Sequence, residues 1–145
     1  MDGLGWKKSS IIISVMTHLT IAYWCVLVAI ILPIIWIGFA KAGTRNYIHE
    51  HNSAPRELLN TLTGFRKRAV WAQQNAFEAL PGFIAGTIIA HLMEASQFEL
   101  DITALIFIIA RLAHGIFYLI DWAFCRSVVW VIGFGATINM FLISI

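Results

Sequence analysis

Between Lys8 and Lys41 no Asp, Glu, Lys or Arg interrupts the chain, and three further apolar stretches follow over about 69–95, 102–122 and 127–145. About 20 apolar residues cover the hydrocarbon thickness of a bilayer, so the first stretch, about 11–40, is long enough by itself to span. Only α-helices and closed barrels satisfy every backbone group in lipid, and none of these stretches shows the alternation of barrel strands. The pattern predicts an all-α membrane protein, a four-helix transmembrane bundle forming a single domain over 1–145 with one polar loop over about 41–68. The first helix exceeds what a bilayer requires and should tilt or project, with Pro33 bending it near one end.

Composition sharpens this picture. With 59% hydrophobic and 12% charged residues and a mean hydropathy of +0.78, the 145-residue chain carries more apolar surface than one small soluble core can bury, so membrane lipids are its main surroundings. A net charge of +2 gives no ground for a nucleic-acid partner. The apolar run after Lys7-Lys8 is much longer than the roughly 7–15 residues of a signal-peptide core, and is read as a helix. Cys25 and Cys125 suggest free thiols rather than a disulfide framework. Lys41, Arg45, Arg56, Arg66, Lys67, Arg68 and Arg126 fall on one face against Lys7 and Lys8 on the other. By the positive-inside rule the basic loop faces the cytoplasm. The localisation expected is a multi-pass integral membrane protein, in the inner membrane for a bacterial cell.

Two charges lie deep inside the apolar segments. Glu78 stands ten residues beyond Arg68 on the second helix, and Arg111 ten residues before Asp121 on the third, which runs the other way. At 1.5 Å per residue both lie about 15 Å below the basic surface, where opposite charges should meet. Arg68, Trp71, Asn75 and Glu78 follow i, i+3, i+7, i+10, and Arg111, His114, Tyr118 and Asp121 repeat that spacing. Each set makes one polar stripe. Two stripes matched in depth describe a polar cleft open to the basic side, with Arg126 and Ser127 at its mouth where the fourth helix begins. A helix N-terminus offers free N–H groups and partial positive charge, so the cleft has the electrostatics of an anion site.

Plainer readings stand beside this one. A buried Glu–Arg pair alone serves equally well as structural glue between helices, and His114 alone reads better as a satisfied core histidine. The joint alignment of both stripes is what favours a site. His49-Glu50-His51 lacks further nearby ligands and reads as a solvated loop, so no metal is expected.

The segment Arg68-Ala-Val-Trp-Ala-Gln-Gln-Asn75-Ala-Phe-Glu78-Ala-Leu-Pro81-Gly-Phe83 resembles the second-helix motif of the MAPEG family, the membrane-associated proteins of eicosanoid and glutathione metabolism. Ala110-Arg111-Leu-Ala-His114-Gly-Ile-Phe-Tyr118 and Arg126-Ser127 resemble that family's third helix and the start of its fourth. The resemblance covers about the last eighty residues by motif and the rest by length and polarity. It implies a homotrimer of four-helix subunits, with glutathione as co-substrate bound between neighbouring subunits near the cytoplasmic side. It further implies that Asn75, Glu78, Arg111, His114 and Tyr118 contact glutathione, that Arg126 holds its sulfur as thiolate, and that Ser127 bonds the same sulfur. A guanidinium beside a thiol favours the charged, nucleophilic form.

The sequence departs from the better-known members, which place two arginines just before the motif Asn to grip the glutathione carboxylates. Here those positions are Trp71 and Gln74, with Arg68, Lys41 or Arg45 as substitutes, a pattern similar to the less characterised bacterial branch; Arg68 and Gln74 join the expected glutathione-binding residues. Trp130, where prostaglandin-forming members have Tyr, points to a different second-substrate pocket. The function expected is a glutathione-dependent transferase or peroxidase acting on a lipophilic electrophile that arrives through the bilayer. The alternative is a non-catalytic lipid-binding or assembly protein in which Glu78 and Arg111 only lock helices.

Overall fold

A computed structural model describes residues 19–42 and 54–145. Over these residues the chain folds into helices α1 (Ile21–Lys41), α2 (Pro55–Thr61), α3 (Gly64–Leu92), α4 (Gln97–Leu119) and α5 (Ala123–Leu142). The expected start of the first helix at 11 and the His49–His51 segment lie outside the described residues. The stretch read as loop up to 68 instead contains α2 and the first turns of α3. α5 begins at Ala123 rather than at 127.

The basic cluster Arg66-Lys67-Arg68 explains the misplaced boundary. Cations are disfavoured in the first turn of a helix by its dipole, so such a cluster reads as loop. Here two of them serve the C-terminal ends of other helices, where cations are favoured. Lys67 Nζ donates to the carbonyls of Leu59 and Asn60 at 3.3 and 3.2 Å, at the end of α2. Arg68 donates through Nε and Nη2 to the carbonyl of Leu119, the last residue of α4, at 3.3 and 3.2 Å.

The long helices alternate in direction. At one end Asp101 Oδ1 on α4 accepts from the Ala22 N–H of α1 at 2.8 Å, and the Tyr23 ring meets His91 near the end of α3. At the other end Ala40 of α1 and Ala69 of α3 share a small buried cluster, and the Arg126 guanidinium at the head of α5 lies over Tyr118 of α4. The two connections are tight. After α3 and after α4 the chain passes through a left-handed residue, Glu94 (φ 56°) and Asp121 (φ 65°). Ala95 N–H then bonds Ala90 O, and Trp122 N–H bonds Phe117 O, both at 3.0 Å. These are six-residue Schellman closures, in which a left-handed position lets the chain reverse at once.

α3 and α4 lie between α1 and α5, and all four contribute to one apolar core. Its centre is the ring of Phe83 stacked on that of Phe107, with centroids 3.9 Å apart. Alanines 22, 29, 90, 104 and 136 surround it, and small residues let helices approach closely. Gly82 and Gly86 likewise bring α3 against Thr137 and Met140 of α5. α1, α4 and α5 are each long and apolar enough to cross a membrane. α3 carries Arg66, Lys67, Arg68, Asn75 and Glu78 in its first half and is less apolar. The outward residues of α1 include Trp24, Leu27, Val28, Ile31, Ile34 and Ile35, an apolar surface suited to lipid.

Candidate functional site

Toward the basic end, residues of α3, α4 and α5 line a groove with two adjoining cavities in it. The outer cavity, about 240 Å³, is lined by Asn75, His114, Tyr118, Arg126, Ser127, Trp130 and Val131. The inner one, about 200 Å³, has Asn75, Glu78, Arg111 and Trp130 at its polar side and Ala79, Gly82, Phe107, Phe134 and Thr137 at its apolar side. Asn75 and Trp130 border both.

Seven of the nine residues singled out in the sequence thus line one groove: Asn75, Glu78, Arg111, His114, Tyr118, Arg126 and Ser127. Arg68 and Gln74 do not. Gln74 is exposed on α3. Arg68 is engaged with the Leu119 carbonyl and lies 3.6 Å from the Asp121 carboxylate. It fastens the start of α3 to the end of α4, one turn before Arg126.

The expected meeting of Glu78 and Arg111 does not occur; among the described residues no ion pair joins them. Arg111 Nη1 instead donates to Asn75 Oδ1 at 3.1 Å, and Asn75 Nδ2 donates to Glu78 Oε2 at 3.4 Å. Depth along a helix is fixed by the rise per residue, but the direction in which a side chain leaves the helix is a separate quantity. Glu78 lies at the exposed rim of the inner cavity, whereas Arg111, only 5% exposed, turns toward α5 and donates through Nη2 to the Trp130 carbonyl at 3.2 Å.

The reason for that turn is Gly133. A Cβ there would stand 2.5 Å from Arg111 Nη2, 2.8 Å from Nε and 3.1 Å from Cζ. The missing side chain is the slot in which the guanidinium lies, with Phe107 beneath it at 5.4 Å. Sequence reasoning passed over this residue. The available signal was a glycine inside a helix, which costs about 1 kcal/mol relative to alanine and so marks a packing need. Gly133→Ala should therefore destabilise despite the better helix former, by about 1–3 kcal/mol for overpacking. A lower melting temperature in detergent checks this; an unchanged or raised one counts against the slot.

The outer cavity is organised around Arg126. Its guanidinium lies 4.4 Å above the Tyr118 ring, which meets the buried His114 edge-on at 5.0 Å. Among the described residues no carboxylate lies within ion-pair distance of Arg126. The guanidinium lines the outer cavity. Ser127 Oγ donates to the Ala123 carbonyl of the preceding turn at 3.2 Å and keeps its lone pairs as acceptors. Cys125 is half-buried with a free thiol and lines neither cavity.

Residues 21–145 match the profile of the MAPEG family. The chain belongs to that family. The match takes in every described helix and all seven groove residues. No curated protein and no solved structure matches the chain. Membership in MAPEG, together with three helices able to cross a bilayer, makes this an integral membrane protein of the glutathione and eicosanoid metabolism family.

Proposed function

We propose that this MAPEG protein is a glutathione-dependent transferase or peroxidase that acts on lipophilic electrophiles, working as a homotrimer of four-helix transmembrane subunits. The observation that carries the reading is Arg126, a cation without a carboxylate partner among the described residues, set in a polar cavity that adjoins an apolar one. Glutathione occupies the polar part of the groove against Asn75, Glu78, Arg111, His114 and Tyr118, with its sulfur at Arg126 and beside Ser127, whose hydroxyl must turn from the Ala123 carbonyl to donate to the thiolate. The guanidinium favours the thiolate electrostatically, and the thiol proton leaves to water. In transfer the sulfur forms a bond to the electrophilic carbon as the leaving group departs with its electron pair. In the peroxidase variant the sulfur takes the terminal oxygen of a hydroperoxide and the alkoxide leaves, protonated by water; a second glutathione then displaces the sulfenic oxygen as water, giving the disulfide.

Arg68 is committed to Leu119 and Asp121, so it does not replace the arginine pair that Trp71 and Gln74 stand in for. Arg111 lines the inner cavity but is itself committed to Asn75 and to the Trp130 carbonyl, so it meets glutathione together with those partners. The non-catalytic alternative draws on the same residue, because Arg111 ties α4 to both α3 and α5.

Calorimetric titration of the detergent-solubilised protein separates the two readings. Saturable heat at millimolar glutathione or below, with weakened binding in Asn75→Ala, is the expected result. An absence of binding at those concentrations would sink the glutathione assignment.

A further inference from the structure

Together with Asn75, Trp130 borders both the cavity that holds Arg126 and Ser127 and the cavity with the apolar wall, and it is the aromatic residue common to the two. Both its backbone and its ring are fixed. The carbonyl accepts from Arg111 Nη2 at 3.2 Å, and the indole stacks on Phe134 with centroids 5.3 Å apart and planes 14° from parallel. Arg126, Trp130 and Phe134 follow i, i+4, i+8 and so stand on one face of α5. From the guanidinium, a flat aromatic wall runs down that face toward the apolar half of the groove. The side chain lines both cavities and so presents a surface to whatever occupies them.

A wall of this kind distinguishes ligands by shape. A planar, electron-poor ring can offset-stack on an indole that is already held in place, at little further cost in side-chain freedom. A saturated chain gains contact area there but no stacking. We propose that Trp130 is the specificity-determining residue of the groove, selecting planar aromatic electrophiles over aliphatic ones of similar hydrophobicity. The inference rests on the transferase reading, and it assigns the second substrate's chemical class and the surface that recognises it.

The test compares two electrophiles at saturating glutathione, so that any change in glutathione affinity cancels. One is a chlorodinitrobenzene: the thiolate sulfur bonds the ring carbon bearing chlorine, the C–Cl bond breaks, and chloride leaves with the electron pair. The other is a linear alkenal: sulfur bonds the β-carbon, and the α-carbon takes a proton from water. The ratio of kcat/KM, arene over alkenal, should fall about fivefold to tenfold in Trp130→Leu and stay near the wild-type value in Trp130→Phe. Phe134→Leu keeps the indole but removes its stacking partner, and should move the ratio in the same direction even if Trp130→Leu fails to fold. A ratio unchanged within about twofold in the variants that fold, or equal losses for both substrates, overturns the proposal and leaves the transferase reading standing. Wild-type protein that binds no glutathione overturns both.

Discussion

Arg126→Ala should lower kcat for glutathione conjugation by about 10²–10³-fold, the range seen when one donor to a developing or resident anion is removed from a preorganised site. The effect should fall on kcat more than on glutathione binding. Of the remaining contacts, Asn75, Glu78, Arg111 and His114 line the groove without touching Arg126, and only Tyr118 packs against it. The guanidinium is fixed over the Tyr118 ring at 4.4 Å and has no carboxylate partner among the described residues, so its field is directed at whatever enters the cavity. Without it, the bound thiol returns to the ordinary thiol range. The variant's rate should then keep rising with pH above neutrality, where the wild-type rate has already levelled off. The sign follows from linkage: a cation favours the deprotonated form, and removing it means a higher pH is needed to reach the same thiolate fraction. Steady-state rates across pH for wild type, Arg126→Ala and Arg126→Lys check this, with Lys intermediate because it keeps the charge but not the planar fork. Equal kcat in wild type and Arg126→Ala would remove Arg126 from the chemistry.

Much of the groove was legible in the sequence because depth along a helix is arithmetic. The i, i+3, i+7, i+10 spacing brought Asn75, Arg111, His114 and Tyr118 to one groove, and the structure joins Asn75 to Arg111 by a hydrogen bond. The azimuth of each side chain is not legible there, and so the depth rule pairs Glu78 with Arg111 directly, whereas Asn75 stands between them. What decides the azimuth is the surface of a third helix, where Gly133 opens the slot that Arg111 takes. Helix boundaries were misread for a related reason. Arg66, Lys67 and Arg68 look like loop by charge alone, but Lys67 and Arg68 are held by the carbonyl ends of α2 and α4, contacts a one-dimensional pattern does not contain. Arg68 illustrates both errors: its stripe position suggested a ligand, and its partners make it a clamp on the turn that carries Arg126 into place.

The largest expected effect on stability comes from a residue with no place in the groove. Gly115 on α4 meets the indole of Trp36 on α1 so closely that an added Cβ would overlap the ring carbons. Trp36 is 4% exposed and packs with Leu32 and Ala72, against Tyr118 and Leu119, so the ring has no free space into which to retreat. Gly115→Ala should therefore cost about 3 kcal/mol, the upper part of the range for overpacking, and outweigh the roughly 1 kcal/mol that alanine gains as a helix former. Because Tyr118 is one turn further along α4 and packs on the same cluster, the displaced indole should also disturb the ring on which Arg126 rests. A double-mutant cycle isolates the contact. Trp36→Leu alone leaves a void and destabilises, yet Gly115→Ala added to it should cost little, because the colliding ring is gone. Thermal unfolding of the four proteins in one detergent measures the coupling. If Gly115→Ala costs the same with and without Trp36, the glycine is not there to admit the indole.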